Sequence, residues 1–150
     1  MLDLKWPLKE GRVTSKYGFR LYPKKGLHSG IDIAAEVNTP GKPAYKGDIV
    51  VIAKWPSYGN LVIVHHHTLG NVWTLYAHLT GVIPGLCVGD HIDAEHNLFL
   101  TGNTGCSTGP HLHFEVRVGR NRIVYAKNPE RYLPKLIKKE ASLWIPRLSQ

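Results

Sequence analysis

Two histidines, His111 and His113, stand one residue apart in "GPHLHFEV", after a Gly-Pro turn and among residues that favour strands. Side chains alternate across a strand, so both imidazoles and Glu115 share one face while Leu112, Phe114 and Val116 take the other. An isolated H-x-H is as readily a polar face looking at water as a functional pair. A second group of metal-type ligands lies in "HSGIDIAA". There His28 and Asp32 are spaced so that they share a face whether the stretch is extended or helical. Gly30 between them permits close backbone approach. A catalytic zinc takes about three protein ligands from His and Asp/Glu and leaves one position for water. H-x-H supplies at most two, so His28 and Asp32 are the candidates for the rest. Zinc would acidify water to a pKa of about 7, and a histidine beside it needs little tuning to take and return protons in that range.

The other histidines carry weaker signals. His78 closes "YAHL", where a lone histidine is most often a partly buried strand residue. The run His65 to His67 resembles a metal tract, but neighbouring strand residues point to opposite faces, so three in a row cannot converge on one ion. The run reads as structural or solvent-exposed, as do His91 and His96. Glu115 reads most simply as a surface glutamate, with a second role open to it as the hydrogen-bond partner that orients a ligand.

Short strands punctuated by glycine turns must position these residues. "GRVTSKYGF" reads as a strand entering a turn, "LYPKKGLHSG" as a loop and "GIDIAA" as a strand. The β-branched run Ile49 to Ala53 is a further strand, and "LVIVHHH" and "VWTLYAHL" form a hairpin. "HLHFEVRVGRNRIVY" reads as another hairpin, turning at Gly119 to Asn121. Helical spacing occurs only near the end, at Leu133, Leu136, Ile137, Ala141 and Trp144. The expected fold is mostly antiparallel β with a short C-terminal helix.

The 150 residues, 43% of them hydrophobic, suit one domain with a real core. No apolar run approaches the roughly 20 residues of a membrane span. "MLDLKWPLKEGR" lacks the charged and apolar regions of a signal peptide, so synthesis in the cytoplasm is expected. The net charge of +8 favours anionic partners such as nucleic acid, anionic membranes or acidic wall polymers. No helix-turn-helix signature or aromatic-basic RNA motif accompanies it, so no specific nucleic-acid partner is expected. Cys87 and Cys106 are expected as free thiols in a cytoplasmic product.

In order, "YGFRLYP", "GLHSGIDIAA", "YGNLVIVHH", "TLYAHL", "VGD", "GNTGCSTGPHLHFEVR" and "NPERYL" resemble the lysostaphin-type zinc endopeptidases of bacterial cell walls, also called LytM-like peptidases. The resemblance runs from about Trp6 to Leu133. It implies a compact antiparallel β-sheet core with long loops around a zinc groove. It implies one zinc per chain, held by His28, Asp32 and His113, with His78 and His111 as unliganded catalytic histidines. Tyr22 matches a tyrosine that lines the family's site and, with zinc and a protonated His78, is a candidate to stabilise the oxyanion. No H-E-x-x-H occurs, so a histidine must replace the usual glutamate base. "VGDHIDAEHNLFL" departs from the family's usual glycine-glutamine turn, which leaves that loop's shape open.

The implied reaction is zinc-dependent hydrolysis of peptidoglycan cross-links, at D-Ala–diaminopimelate, leading to wall lysis. Glycine-bridge cleavage and a D-Ala-D-Ala carboxypeptidase activity are the enzymatic alternatives. A LytM-like module that binds the wall or activates amidases is the non-enzymatic one, and the retained ligands argue against it. The expected organisation is one catalytic domain over residues 1–150, with a core of about 6–133, a basic tail at 134–150 and no separate wall-binding domain. The chain is expected to be a monomer that acts on the wall in the periplasm or outside the cell, in the manner of a bacteriophage lysin or a virion-borne enzyme. Its basic surface and tail could touch anionic wall or membrane.

Overall fold

A computed structural model describes residues 3–22 and 25–135. Its strands are β1 (Arg12–Ser15), β2 (Gly18–Arg20), β3 (Gly26–His28), β4 (Ile31–Ala34), β5 (Pro40–Gly41), β6 (Gly47–Trp55) and β7 (Gly59–His65). They continue as β8 (Val72–Leu79), β9 (Gly81–Val82), β10 (His91–Ile92), β11 (Phe99–Leu100), β12 (His111–Val118) and β13 (Ala126–Lys127). Among the described residues, helix is confined to three 3-10 turns, His67–Leu69, Ile123–Tyr125 and Pro129–Arg131. None is long and apolar enough to cross a membrane. The sequence-predicted C-terminal helix falls almost wholly outside the described residues.

The main sheet runs β1-β4-β12-β8-β7-β6-β10, with β13 on β12, and every pairing is antiparallel. The β-branched and aromatic runs explain its centre: β7, β8 and β12 pair along most of their lengths. One face carries Ile31, Ile33, Val62, Val64, Tyr76, Leu112, Phe114 and Val116 into the larger core. Fully burying each such side chain contributes roughly 1.5–3 kcal/mol. Leu4 and Leu8 from the N-terminal segment cover that core, and Leu4 N–H donates to the Tyr132 carbonyl. The opposite face carries Leu61, Ile63, Leu75 and Ala77, a smaller cluster. Two small sheets flank the main one, β5-β11-β9 and the β2-β3 hairpin.

Two expected segments differ. "LYPKKGLHSG" is not wholly loop, because Gly26–His28 pairs with Gly18–Arg20 and His28 ends a strand. The chain does turn after β12, but the returning strand is Ala126–Lys127, which pairs with Arg117 and Val116. "IVY" forms a 3-10 turn instead, leaving Ile123 and Val124 exposed.

Candidate active site

β12 lies between β4 and β8, and its register assembles the site. His113 pairs with Asp32 on one side and Ala77 on the other, so the three side chains share the face opposite the larger core. Alternation adds His111, Glu115 and Arg117 to that face. Gly30 lets β4 approach: a Cβ there would lie 2.2 Å from the Phe114 carbonyl oxygen. The β2-β3 hairpin delivers His28 from outside the main sheet.

His78 reaches the site by an irregularity. Strict alternation would turn it to the side of Tyr76, inside the larger core. The β7-β8 ladder slips between Asn60 and Val62, placing an extra residue on β8, and His78 adopts φ 61°. Its ring then sits against His111, 4.7 Å between centroids, and 5.9 Å from His113. A non-glycine residue in this region stores roughly 1–3 kcal/mol of strain, a cost that clusters at functional sites.

His28 Nε2, Asp32 Oδ1 and His113 Nδ1 converge. Asp32 Oδ1 is 3.1 Å from His28 Nε2 and 2.9 Å from His113 Nδ1, and the two nitrogens are 3.1 Å apart. Each histidine commits its other nitrogen as a donor. His28 Nδ1–H donates to the Lys16 carbonyl at 2.8 Å, and His113 Nε2–H to Glu115 Oε1 at 3.1 Å. The converging atoms then present two imidazole lone pairs to one carboxylate oxygen, a grouping that a cation between them would satisfy. The residues fit a zinc site with two imidazoles and one carboxylate. The charges agree. Burial alone would raise the Asp32 carboxyl, but the bonds from His113 and His28 hold it far below the usual carboxylate range. Burial alone would lower His113, but Asp32 and Glu115 outweigh it and raise its pKa, so the pocket attracts positive charge.

His78 and His111 are arranged as proton carriers beside this group. His78 Nδ1–H donates to the Thr104 carbonyl at 2.7 Å, and His111 Nδ1–H to the Gly109 carbonyl at 2.8 Å. Among the described residues neither Nε2 has a hydrogen-bond partner; that of His111 is 3.7 Å from Asp32 Oδ1. Burial lowers His78 to about 4, against the partial support of its bond to Thr104. Its resting state is thus the neutral imidazole, with Nε2 as an acceptor. Tyr22 lies between β2 and β3, 86% exposed, and no hydrogen bond among the described residues ties it to the cluster.

Glu115 is not a surface residue. It is fully buried, and it gathers Ser29 Oγ, Tyr58 Oη at 2.7 Å and His113 Nε2 on Oε1, with Arg117 Nε at 2.8 Å on Oε2. Burial opposes its charge, but His113 and then Arg117 lower its pKa to about 2, so it is ionised. The same burial and the Glu115 charge push the Tyr58 hydroxyl up to about 12, where it stays a donor. Tyr58, Ser29 and Arg117 were not foreseen, and only the position of Glu115 and Arg117 on the H-x-H face pointed to them. Arg20 Nη1 is a further addition, 4.0 Å from Asp32 Oδ2. Beyond Glu115, a cleft of about 430 Å³ is lined by Trp55, Tyr58, Arg117, Asn121, Ile123 and Val124.

The histidine run does not converge, as its alternation requires. His66 is buried toward the core side: its Nδ1–H donates to the Lys46 carbonyl, and its Nε2 accepts from Thr74, which in turn accepts from Tyr76. His65 and His67 lie together on the other side, with ring centroids 5.3 Å apart. Cys87 and Cys106 are both free and exposed.

Residues 26–125 match the model of peptidase family M23, and the chain belongs to that family of metallopeptidases. It is 36% identical over 115 residues to the DD-carboxypeptidase/endopeptidase Mpg of Neisseria meningitidis, matching 75% of this chain but 26% of that protein. Its fold is similar to a zinc-containing peptidase from Vibrio cholerae, with TM-score 0.74 and 30% identity over 84% of this chain and 39% of the other. It is also similar to the catalytic domain of the antimicrobial peptidase lysostaphin from Staphylococcus simulans, with TM-score 0.74 and 29% identity over 81% of this chain and 91% of that domain. The mostly antiparallel β architecture of lysostaphin-type catalytic domains is thus present here. The chain spans about a quarter of the length of Mpg.

Proposed function

We propose that the chain is a zinc-dependent endopeptidase that hydrolyses the D-Ala–diaminopimelate cross-links of peptidoglycan and so weakens the wall. The observation that carries this reading is the convergence of three lone pairs from His28, Asp32 and His113, flanked by two histidines whose Nε2 atoms have no hydrogen-bond partner among the described residues. Zinc held there would polarise the scissile carbonyl and acidify water. His28 and His113 are locked in the tautomers that present lone pairs by Lys16 and Glu115. His111, beside the Asp32 carboxylate, takes the proton from the attacking water at Nε2. The proton taken from the water is the one returned to the leaving amine, and His78, neutral at rest, can accept it at its own Nε2 and deliver it there. The apolar cleft from Trp55 to Val124 borders the site and offers a wall for a peptide stem. Tyr22, on its exposed loop, is proposed to close over the substrate and bond the oxyanion.

The name of the Neisseria relative supports a DD bond, and it favours a second reading as well, removal of a terminal D-Ala. Mass spectrometry of muropeptides from digested diaminopimelate-type wall separates the two. New diaminopimelate amines at former cross-links are expected. Free D-Ala alone would convert the assignment to carboxypeptidase. Release from glycine-bridged wall only would overturn the bond assignment.

A further inference from the structure

We propose a second transition-metal site, formed by Asp48, His67 and His91, at the far corner of the main sheet. Its ligand is a borderline divalent ion of the zinc class. Asp48 is the second residue of β6, with His65 of β7 paired to it on one side and His91 of β10 on the other. Asp48 Oδ1 is 2.7 Å from His91 Nδ1, and Oδ2 is 3.1 Å from His67 Nε2. One donor atom from each of the three residues lies within 4.8 Å of the others. Two imidazoles and a carboxylate suit zinc, nickel or copper, and water can complete the set at a corner this open.

The position is built, not a chance meeting of long side chains. His67 begins a 3-10 turn whose backbone is fixed by Leu69 N–H on the His66 carbonyl and Gly70 N–H on the His67 carbonyl. His65 stacks on Trp73, 4.5 Å between centroids and 9° from parallel, and stands edge-on to His67. His65 Nε2 is the one buried side-chain nitrogen or oxygen among the described residues without a hydrogen-bond partner, which puts an unsatisfied polar atom beside the cluster. His91 is held by pairing to β6 and by Ile49 N–H on the Asp90 carbonyl. The ligands come from three elements whose backbone positions are fixed, and the Asp48 carboxylate bonds both imidazoles. On strand spacing the site is roughly 20 Å from His113, so the two cannot share an ion. A bound ion would clip the two-residue edge strand β10 to β6 and to the end of β7, stabilising the folded state by mass action.

The test is zinc titration of untagged, chelator-stripped protein, read by calorimetry and by elemental analysis after dialysis, with thermal unfolding in parallel. The unmodified chain is expected to take two equivalents, and the second to raise the melting temperature. His67→Ala, His91→Ala and Asp48→Asn should each take one equivalent, keep peptidoglycan hydrolysis and lose the second rise in melting temperature. Asp32→Ala should also take one, the one bound at Asp48. One equivalent in the unmodified chain, lost in Asp32→Ala, would show an ordinary His-Asp-His hydrogen-bond cluster and overturn the second site. One equivalent lost in His91→Ala would uphold the second site and sink the proposed function instead. Two equivalents persisting in a His67→Ala/His91→Ala double variant would also overturn it.

Discussion

Glu115 offers the sharpest separation of stability from chemistry. Glu115→Ala removes the only carboxylate that four donors share: Ser29, Tyr58, His113 and Arg117. Arg117, 4% exposed, would keep, among the described residues, only its side-chain bond to Asn121 Oδ1 at 2.9 Å and would stand as a nearly unpaired buried cation. Breaking such a pair from one side costs about 3–5 kcal/mol. Removing the acceptor that orients a ligating histidine costs about 10–100-fold in metal affinity. The double variant Glu115→Met/Arg117→Met removes both buried charges at similar volume, so most of the stability should return. Its zinc affinity should stay low, because His113 Nε2–H still lacks its partner. Urea unfolding and zinc titration of the two variants read the two quantities apart. Glu115→Ala that binds zinc as tightly as the unmodified chain would refute the orienting role. A double variant as unstable as the single one would refute the charge argument.

Three further outcomes follow from the same geometry. Burial lowers His66 to about 4 from an ordinary 6.5, so between these values the unfolded chain binds more protons than the folded one. Stability is then full near neutrality and falls on acidification through that window, by up to about 3 kcal/mol. Urea midpoints against pH should show this slope, and His66→Gln should flatten it at a lower overall stability; equal slopes would exclude His66 as the cause. Gly30→Ala must push β4 off β12, because its Cβ would meet the Phe114 carbonyl, and should cost about 1–3 kcal/mol or more together with zinc affinity, measured by unfolding and titration. His78→Ala and His111→Ala should each lower hydrolysis by about 10²–10⁴-fold, and the double variant by less than the product, as expected for groups serving one proton-transfer step.

Local chemistry made much of this legible in the sequence. Period-two alternation in "HLHFEV" placed both histidines and Glu115 on one face, and β7 and β8 appeared as the expected hairpin. Alternation also failed where the backbone departs from it. The bulge that turns His78 into the site depends on a register between β7 and β8 that no single strand encodes. Burial of Glu115 depends on Tyr58 and Ser29 closing over it from other elements. The three adjacent histidines do not converge on one point, because His66 faces the core side and His65 and His67 the other. The meeting of His67, from the histidine run that ends a strand, with His91, from a polar segment, at Asp48 across a strand edge depends on a pairing that neither segment encodes alone.

The central claim is that His28, Asp32 and His113 hold the metal while His111 and His78 act on the substrate. Zinc stoichiometry beside the rate of cross-link hydrolysis tests it most directly, in a His91→Ala background so that the corner cluster does not contribute. Alanine at His28, Asp32 or His113 should abolish zinc and activity together. Alanine at His111 or His78 should leave one equivalent bound in a slow enzyme. Zinc lost in His111→Ala and retained in His113→Ala would contradict the assignment of the two histidines of "GPHLHFEV" and, with it, the account of the site.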